Sequence, residues 1–306
     1  MADPLLQTFQ LKHLHLKNRI ITTSHEPAYN EGGFPKDRYI AYHLERARGG
    51  IAMTMTAGSA VVSKDSPPSF DNIHAYKDEV VPWIKKLTDT IHDQDCKIMI
   101  QLTHLGRRTS WSKGDWLPSL SSGKHREPAH KAFPKVMESW DIERIIKEYG
   151  DAAERMKLGG MDGVELEGQG HLIGQFLSPL TNELNSEYGG SLENRLRFTI
   201  EVLSDIRKKV GQDFIVGIRC VFDEVEEGGI TKSEGLKIAK ILSDSGLVDY
   251  LNVNKGRIHT DPILTKHIPI QGMKSAPHLE FAGEIKKEIN IPIFHASKIS
   301  DVATAR

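Results

Sequence analysis

Cysteine is nearly missing: Cys96 and Cys220 are the only two in 306 residues. No Cys-x-x-Cys spacing occurs, so this stretch cannot hold an iron–sulfur cluster in the usual way. Each cysteine falls in a strand-like run. Two such residues are more often small core groups than a disulfide, a pattern that fits a reducing cytoplasm. Long apolar runs are missing too, and none approaches the ~20 residues of a membrane span. Met1-Ala2-Asp3-Pro4 has no basic segment followed by an apolar one, so no signal peptide is evident. An excess of charge of either sign is missing as well. Forty Lys+Arg against 41 Asp+Glu leave a formal net charge of −1 with the signs interspersed, so neither nucleic acid nor a membrane surface is an expected partner. No internal repeat or low-complexity stretch is present.

What is present is an alternation. Apolar residues make up 39% of the chain, enough for a sizeable core. Strand-like runs are expected at 19–23, 51–55, 97–101, 163–166, 214–219, 249–253 and 292–296. Helical spacing is expected at 37–48, 81–94, 142–159, 192–210, 279–289 and from Asp301 on. Another helix starts at Thr231-Lys232-Ser233-Glu234, a capping box, and ends near Gly246. Strict β/α alternation implies a parallel sheet covered by helices. The lack of Gly-x-Gly-x-x-Gly after the first strand favours a (β/α)8 TIM barrel over a doubly wound sheet. The expected fold is therefore an α/β barrel truncated after strand 7, one domain over residues 1–306, as a fragment of a longer protein. Its open strand edges would expose part of the core.

Active sites of such barrels lie at the C-terminal ends of the strands. Those ends supply Ser24, His25 and Glu26; Ala57-Gly58-Ser59; Gln101 and His104, with Arg107 and Arg108 beyond; Glu167, Gln169 and His171; Arg219; Asn252 and Asn254; and His295, Ser297 and Lys298. The set suits a flavin. Gln101 can bond the pyrimidine edge through both ends of its amide. Arg219 can stabilise the anion that reduction creates near N1 and O2. Backbone groups at Ser24-His25-Glu26 can meet the ring, and Gly58 permits close approach. Ser297-Lys298, before a helix start, supplies half of a phosphate site.

Four motifs carry a resemblance: Leu16-Lys17-Asn18-Arg19, Gln101-Leu102-x-His104-x-Gly106-Arg107, Gln175-Phe176-Leu177-Ser178-Pro179 and Tyr188-Gly189-Gly190-Ser191-Leu192-Glu193-Asn194-Arg195. Together they resemble the old yellow enzyme family of FMN-dependent oxidoreductases over essentially the whole chain. Within it the chain is similar to the branch of 2,4-dienoyl-CoA reductase and trimethylamine dehydrogenase. The runs from Thr23 to Tyr29, Gly114 to Pro118 and Gly170 to Leu172 are similar to enzymes that demethylate N-methylproline, stachydrine or dimethylglycine. In that branch a 4Fe-4S motif and a dinucleotide-binding region follow the barrel, so an iron–sulfur cluster and NAD(P) or FAD are expected only in a longer chain. Glu26 stands where trimethylamine dehydrogenase carries its flavin-linking cysteine, which implies noncovalent FMN. Leu166 and Gln169 stand where ene reductases carry the residues that grip an enone oxygen. His171 stands where dienoyl-CoA reductase carries a proton-donating tyrosine.

The resemblance implies oxidative N-demethylation of an N-methylated amino acid or betaine-derived amine, with hydride transfer to flavin N5. The amine must be deprotonated first, and His171 is the expected acid/base group. Arg107 or Arg108 can hold a substrate carboxylate, and His104, Glu167 and Gln169 line the same region. Trp111 and Trp116 either face the methylated nitrogen or pack the loop. The alternative reaction is reduction of a conjugated carbon–carbon bond with NAD(P)H, where His171 or His259 delivers the proton. No metal site is expected. The expected partner is a small-molecule substrate in the cytoplasm, and a homo-oligomer is compatible with this reading.

Overall fold

In the computed structural model all residues are described except 1–2, 67–70, 109–116, 130 and 132; for 57–59 only the backbone is described. Apolar, β-branched runs form seven parallel strands: β1 Ile21–Thr22, β2 Met53–Val61, β3 Lys97–Thr103, β4 Gly163–Gly168, β5 Ile215–Val221, β6 Tyr250–Asn254 and β7 Ile293–His295. They pair strictly in chain order. A doubly wound sheet would reverse direction at a switch point, so this order is that of a barrel wall. Between the strands run α1 Asp37–Arg48, α2 Val81–His92, α3 Ser139–Leu158, α4 Leu172–Leu177, α5 Leu192–Val210, α6 Lys232–Asp244, α7 Asp261–His267 and α8 Leu279–Glu288; α9 Val302–Ala305 follows β7.

Alternation along each strand sorts the side chains. On β3, Ile98, Ile100 and Leu102 join the core shared with the helices, against Ile84, Leu87 and Ile145. Met99 faces the other way, into a second cluster with Met53, Met55, Ile215, Tyr250 and Phe294. Leu11, Leu14 and Leu16 close that inner cluster. They come from an N-terminal antiparallel hairpin, Phe9–Leu11 with Leu14–Leu16. Its three-residue strands are too short to announce themselves by periodicity.

Two sequence expectations need correcting. Strand 2 runs past Met55 to Val61, with a register shift between Thr56 and Ala60. Gly58 therefore lies inside a strand at an irregularity, as interior strand glycines commonly do. The capping box at Thr231 is only half formed. Thr231 Oγ1 accepts from the Glu234 amide at 3.3 Å, but the Glu234 carboxylate is taken by Arg195.

The outer edges of β1 and β7 pair with no other strand among the described residues. Clefts of about 180, 540 and 640 Å3 lie along this seam, lined in turn by Ile21, His295 and their neighbours.

Candidate active site

The inward faces of β3 to β6 become polar toward the C-terminal mouth. Glu165, fully buried, accepts from Gln101 Nε2 at 2.7 Å, Tyr250 Oη at 3.0 Å and Asn252 Nδ2 at 3.0 Å. Tyr250 reaches it because Gly217 lies beneath its ring: a Cβ there would stand 2.1 Å from the ring's Cζ. Burial pushes the Glu165 carboxyl up from its ordinary range, against the opposing pull of Arg219. Gln101 is thus fixed by its amide nitrogen, and its Oε1 has no hydrogen-bond partner among the described residues; the same holds for Asn252 Oδ1 and Thr56 Oγ1. Buried polar atoms are rarely left so, because desolvation without a partner costs about 1–3 kcal/mol each. One end of the Gln101 amide, not both, therefore remains for a ring edge.

One layer nearer the mouth are Thr103, Glu167, Arg219 and Asn254. A guanidinium can only donate, so the Asn254 oxygen is the atom that faces it, 2.8 Å from both Arg219 Nε and Nη2. Glu167 accepts from the backbone amide of Gln169 at 2.7 Å and from its Nε2 at 3.3 Å. Burial pushes this carboxyl up to about 8, although Arg219 acts to lower it. His171 stands at the N-cap position of α4, and its Nδ1 lies 2.9 Å from Thr103 Oγ1. Behind Thr103 stands the buried Tyr149, whose hydroxyl bonds Thr103 and accepts the His104 amide at 2.8 Å. The ring of His171 is thereby tied to a rigid strand.

Gln175 explains why the motifs at 101–107 and 175–179 occur together. Its Nε2 donates to the carbonyls of Leu105 and Gly170, and its Oε1 accepts from the Arg107 amide and Ser121 Oγ. Gly106, at φ 60°, leaves the space this amide occupies; a Cβ would approach Gln175 Oε1 to 2.3 Å. Gln175 is fully interior and clamps the β3 and β4 loops, a role that its place in an apolar run conceals.

Other expected residues go elsewhere. His104 turns away from the mouth: its Nε2 lies 3.0 Å from Asp65 and its Nδ1 accepts the Gly106 amide at 3.0 Å. Asp65 is also held by Arg144. Arg195 bonds the Leu177 carbonyl and Glu234, joining α4, α5 and α6. Lys298 spends its ammonium on the Ile270 and Met273 carbonyls, both at 2.5 Å. A phosphate at Ser297-Lys298, as expected from the sequence, would compete with these two carbonyls for the ammonium. Ser297, at φ 114°, keeps a buried Oγ with no partner among the described residues. His25 and Ser297 both line the 540 Å3 cleft, with Thr23, Met55 and His295. Neither ring nitrogen of His295 has a hydrogen-bond partner among the described residues, and burial pulls its pKa down to about 4. Ser24 is half-buried just after β1. Glu26 accepts from the Ala28 amide at 2.9 Å and Asn72 Nδ2 at 3.3 Å, and burial pushes it up to about 7.

A second, small recess brings Arg107, Arg108, Arg257, Gln169 and His259 together beside Glu127 and Glu224. Arg108 donates to Glu127 at 3.2 Å and to the Ile258 carbonyl at 2.6 Å. Arg107, nearly buried, donates to the His125 carbonyl at 3.1 Å. His259 lies 3.7 Å from Glu226, and burial, then Arg257, lowers its pKa. Trp111 and Trp116 lie outside the described residues.

The arrangement suits a planar, polar heterocycle at the mouth. An amide oxygen (Gln101) and a guanidinium (Arg219) on adjoining layers offer an acceptor and a cation; the Ser297 hydroxyl, also without a partner among the described residues, lines the cleft at the seam. No group of three or more His, Cys, Asp or Glu side chains able to hold a metal occurs among the described residues. No described helix is long and apolar enough to cross a membrane.

Comparison with known proteins agrees with this geometry. The family model of the NADH:flavin oxidoreductase / NADH oxidase family matches residues 4–301. A probable N-methylproline demethylase of Rhizobium meliloti (strain 1021) is 66% identical over 99% of this chain and 45% of its own length. A multifunctional alkene reductase/demethylase of Caballeronia cordobensis is 45% identical over 100% of this chain and 45% of its own length. The solved structure of a 2-naphthoyl-CoA reductase superposes with a TM-score of 0.92 at 26% identity, covering 100% of this chain and 48% of that one. The chain thus spans about half the length of the relatives it matches. Its α/β TIM-barrel fold, its motifs and its strand-end chemistry place this chain in the NADH:flavin oxidoreductase / NADH oxidase family, the old yellow enzymes, with noncovalent FMN as its flavin.

Proposed function

We propose that the chain forms the FMN barrel of an enzyme that oxidatively demethylates an N-methylated amino acid or a related amine. The observation that carries the reading is the 66% identity to the probable N-methylproline demethylase across nearly the whole chain. The site is compatible with it. Gln101 Oε1 and Asn252 Oδ1 are the acceptors for the pyrimidine edge, and Glu165 holds Gln101 in place. Arg219 supplies the cation, and the backbone of Ser24-His25-Glu26 the flank. Ser297 serves the phosphate side. FMN held by these residues would supply the acceptor for a hydride from the N-methyl carbon.

The chain's own residues prepare the amine. His171, fixed by Thr103, accepts the ammonium proton and frees the nitrogen lone pair. Arg107 is the guanidinium for a substrate carboxylate, since among the described residues it forms no ion pair. Water then hydrolyses the iminium to formaldehyde and the demethylated amine. Two buried free thiols suit a cytoplasmic setting.

The test is product analysis. Turnover with N-methylproline or N,N-dimethylglycine should release one formaldehyde per amine consumed. Release of no formaldehyde, together with NADH-driven reduction of a conjugated enone, would assign the protein to the alkene-reductase side of the family instead.

A further inference from the structure

We propose that Glu167 is the cation subsite of this pocket, and that it selects N-methylated ammonium substrates over neutral ones. The proposal rests on the demethylase reading and adds to it the residue that recognises charge.

On β4 the side chains of Glu165 and Glu167 share the inward face, because strand side chains alternate. Glu165 is the deeper of the two and is satisfied by three donors. Glu167 stands one layer nearer the mouth, 4% exposed, and among the described residues its two oxygens accept only from the amide and Nε2 of its neighbour Gln169. No Lys, Arg or His side chain among the described residues lies within ion-pair distance of it. The nearest cations act from farther off and are engaged elsewhere: Arg219 faces Asn254, and Arg108 is held by Glu127 and the Ile258 carbonyl. Two buried carboxyls thus face one guanidinium at the mouth.

A buried carboxylate needs a partner or it takes up a proton. The upward shift of Glu167 agrees with a group left short of positive charge. A tertiary ammonium supplies what is lacking, a full positive charge and methyl groups that tolerate the dry surroundings, and leaves its one N–H to His171. A neutral enone supplies none of these and would leave the carboxyl protonated. Arg107, in the neighbouring recess with Gln169, lies on the side where the carboxylate of the same zwitterion would be received.

The experiment uses the FMN-loaded protein. Tetramethylammonium chloride, which has no N–H to lose, is titrated against a sodium chloride control, and binding is followed by the flavin difference spectrum and by calorimetry. Wild type should bind the cation, and Glu167→Gln should weaken it at least tenfold, with Glu167→Asp recovering most of the affinity. With N-methylproline, Glu167→Gln should raise KM at least tenfold and lower kcat by a smaller factor. Equal affinity of wild type and Glu167→Gln for tetramethylammonium, or no wild-type binding above the sodium chloride control, would overturn the assignment. Wild type that binds the cation in a Glu167-dependent way but is not reduced by N-methylated amino acids would leave the subsite standing and sink the demethylase reading.

Discussion

At the scale of single residues the site is a matter of which polar groups have been left a task. Gln101 and Arg219 stand out in the sequence because each is a polar residue within an otherwise apolar strand run, where a polar side chain has few structural uses. Lys298, His104 and Arg195 were equally conspicuous as letters, yet the fold spends them on carbonyls, on Asp65 and on Glu234. Sequence position cannot tell these cases apart, because a long side chain can swing to whichever partner the loops bring near. Arg219→Ala is expected to lower the reduction potential of the bound flavin and slow its reduction more than it weakens binding, since the charge it meets appears only on reduction. An unchanged potential, measured by equilibration with a reference dye, would remove Arg219 from this role. His171→Phe keeps the ring volume and removes proton transfer. Turnover should fall by about 10²–10⁴-fold while FMN still binds. Near wild-type turnover across pH 6–9 would contradict the assignment.

At the scale of elements the layout was readable almost to the residue where periodicity is strong. The expected helix bounds at 37–48 and 192–210 coincide with α1 and α5. Legibility failed where a few residues decide: the three-residue hairpin strands, the extension of β2 through Gly58, and the Gln175 clamp. None has a periodic signal, and each depends on contacts far along the chain. Gly217 is an example with a measurable consequence. It sits in β5 under the Tyr250 ring, which leaves no room for a Cβ. Gly217→Val should displace that ring, break the Tyr250–Glu165 bond and destabilise the fold by about 1–3 kcal/mol or more. Urea unfolding would read this as a lower midpoint, and the loosened Glu165 should weaken FMN retention as well. A variant with wild-type midpoint and flavin content would show that the ring is not held as described.

At the scale of the whole molecule, buried titratable groups and the open seam set the behaviour. His43, His74, His267 and His295 are pulled down to about 3, 4, 4 and 4, chiefly by burial. The unfolded chain takes up those protons near pH 6.5, so their contribution is whole above about 6.5 and is lost as pH falls toward 4. Glu26 and Glu167 run the other way. Burial raises them to about 7 and about 8, so their contribution is whole below about 4.5 and is lost as pH rises through 7–8. Glu26→Gln should therefore lessen the fall in Tm between about pH 5 and 8. An unaltered slope would deny the buried state of Glu26. The seam between β1 and β7 should also matter. Covering apolar surface contributes about 25 cal/mol per Å2, so a chain extended by one βα unit should be more soluble and hold FMN more tightly than residues 1–306 alone. Equal flavin saturation and equal Tm for the two lengths would show that the seam needs no cover.

The most direct measurement of the central claim is an anaerobic titration of the FMN-loaded protein with N-methylproline, followed at the flavin's visible absorbance. The expected result is stoichiometric bleaching by the amine alone, with no NADH added. A flavin that stays oxidised under excess N-methylated amine, yet is bleached by NADH and recoloured by an enone, would contradict it.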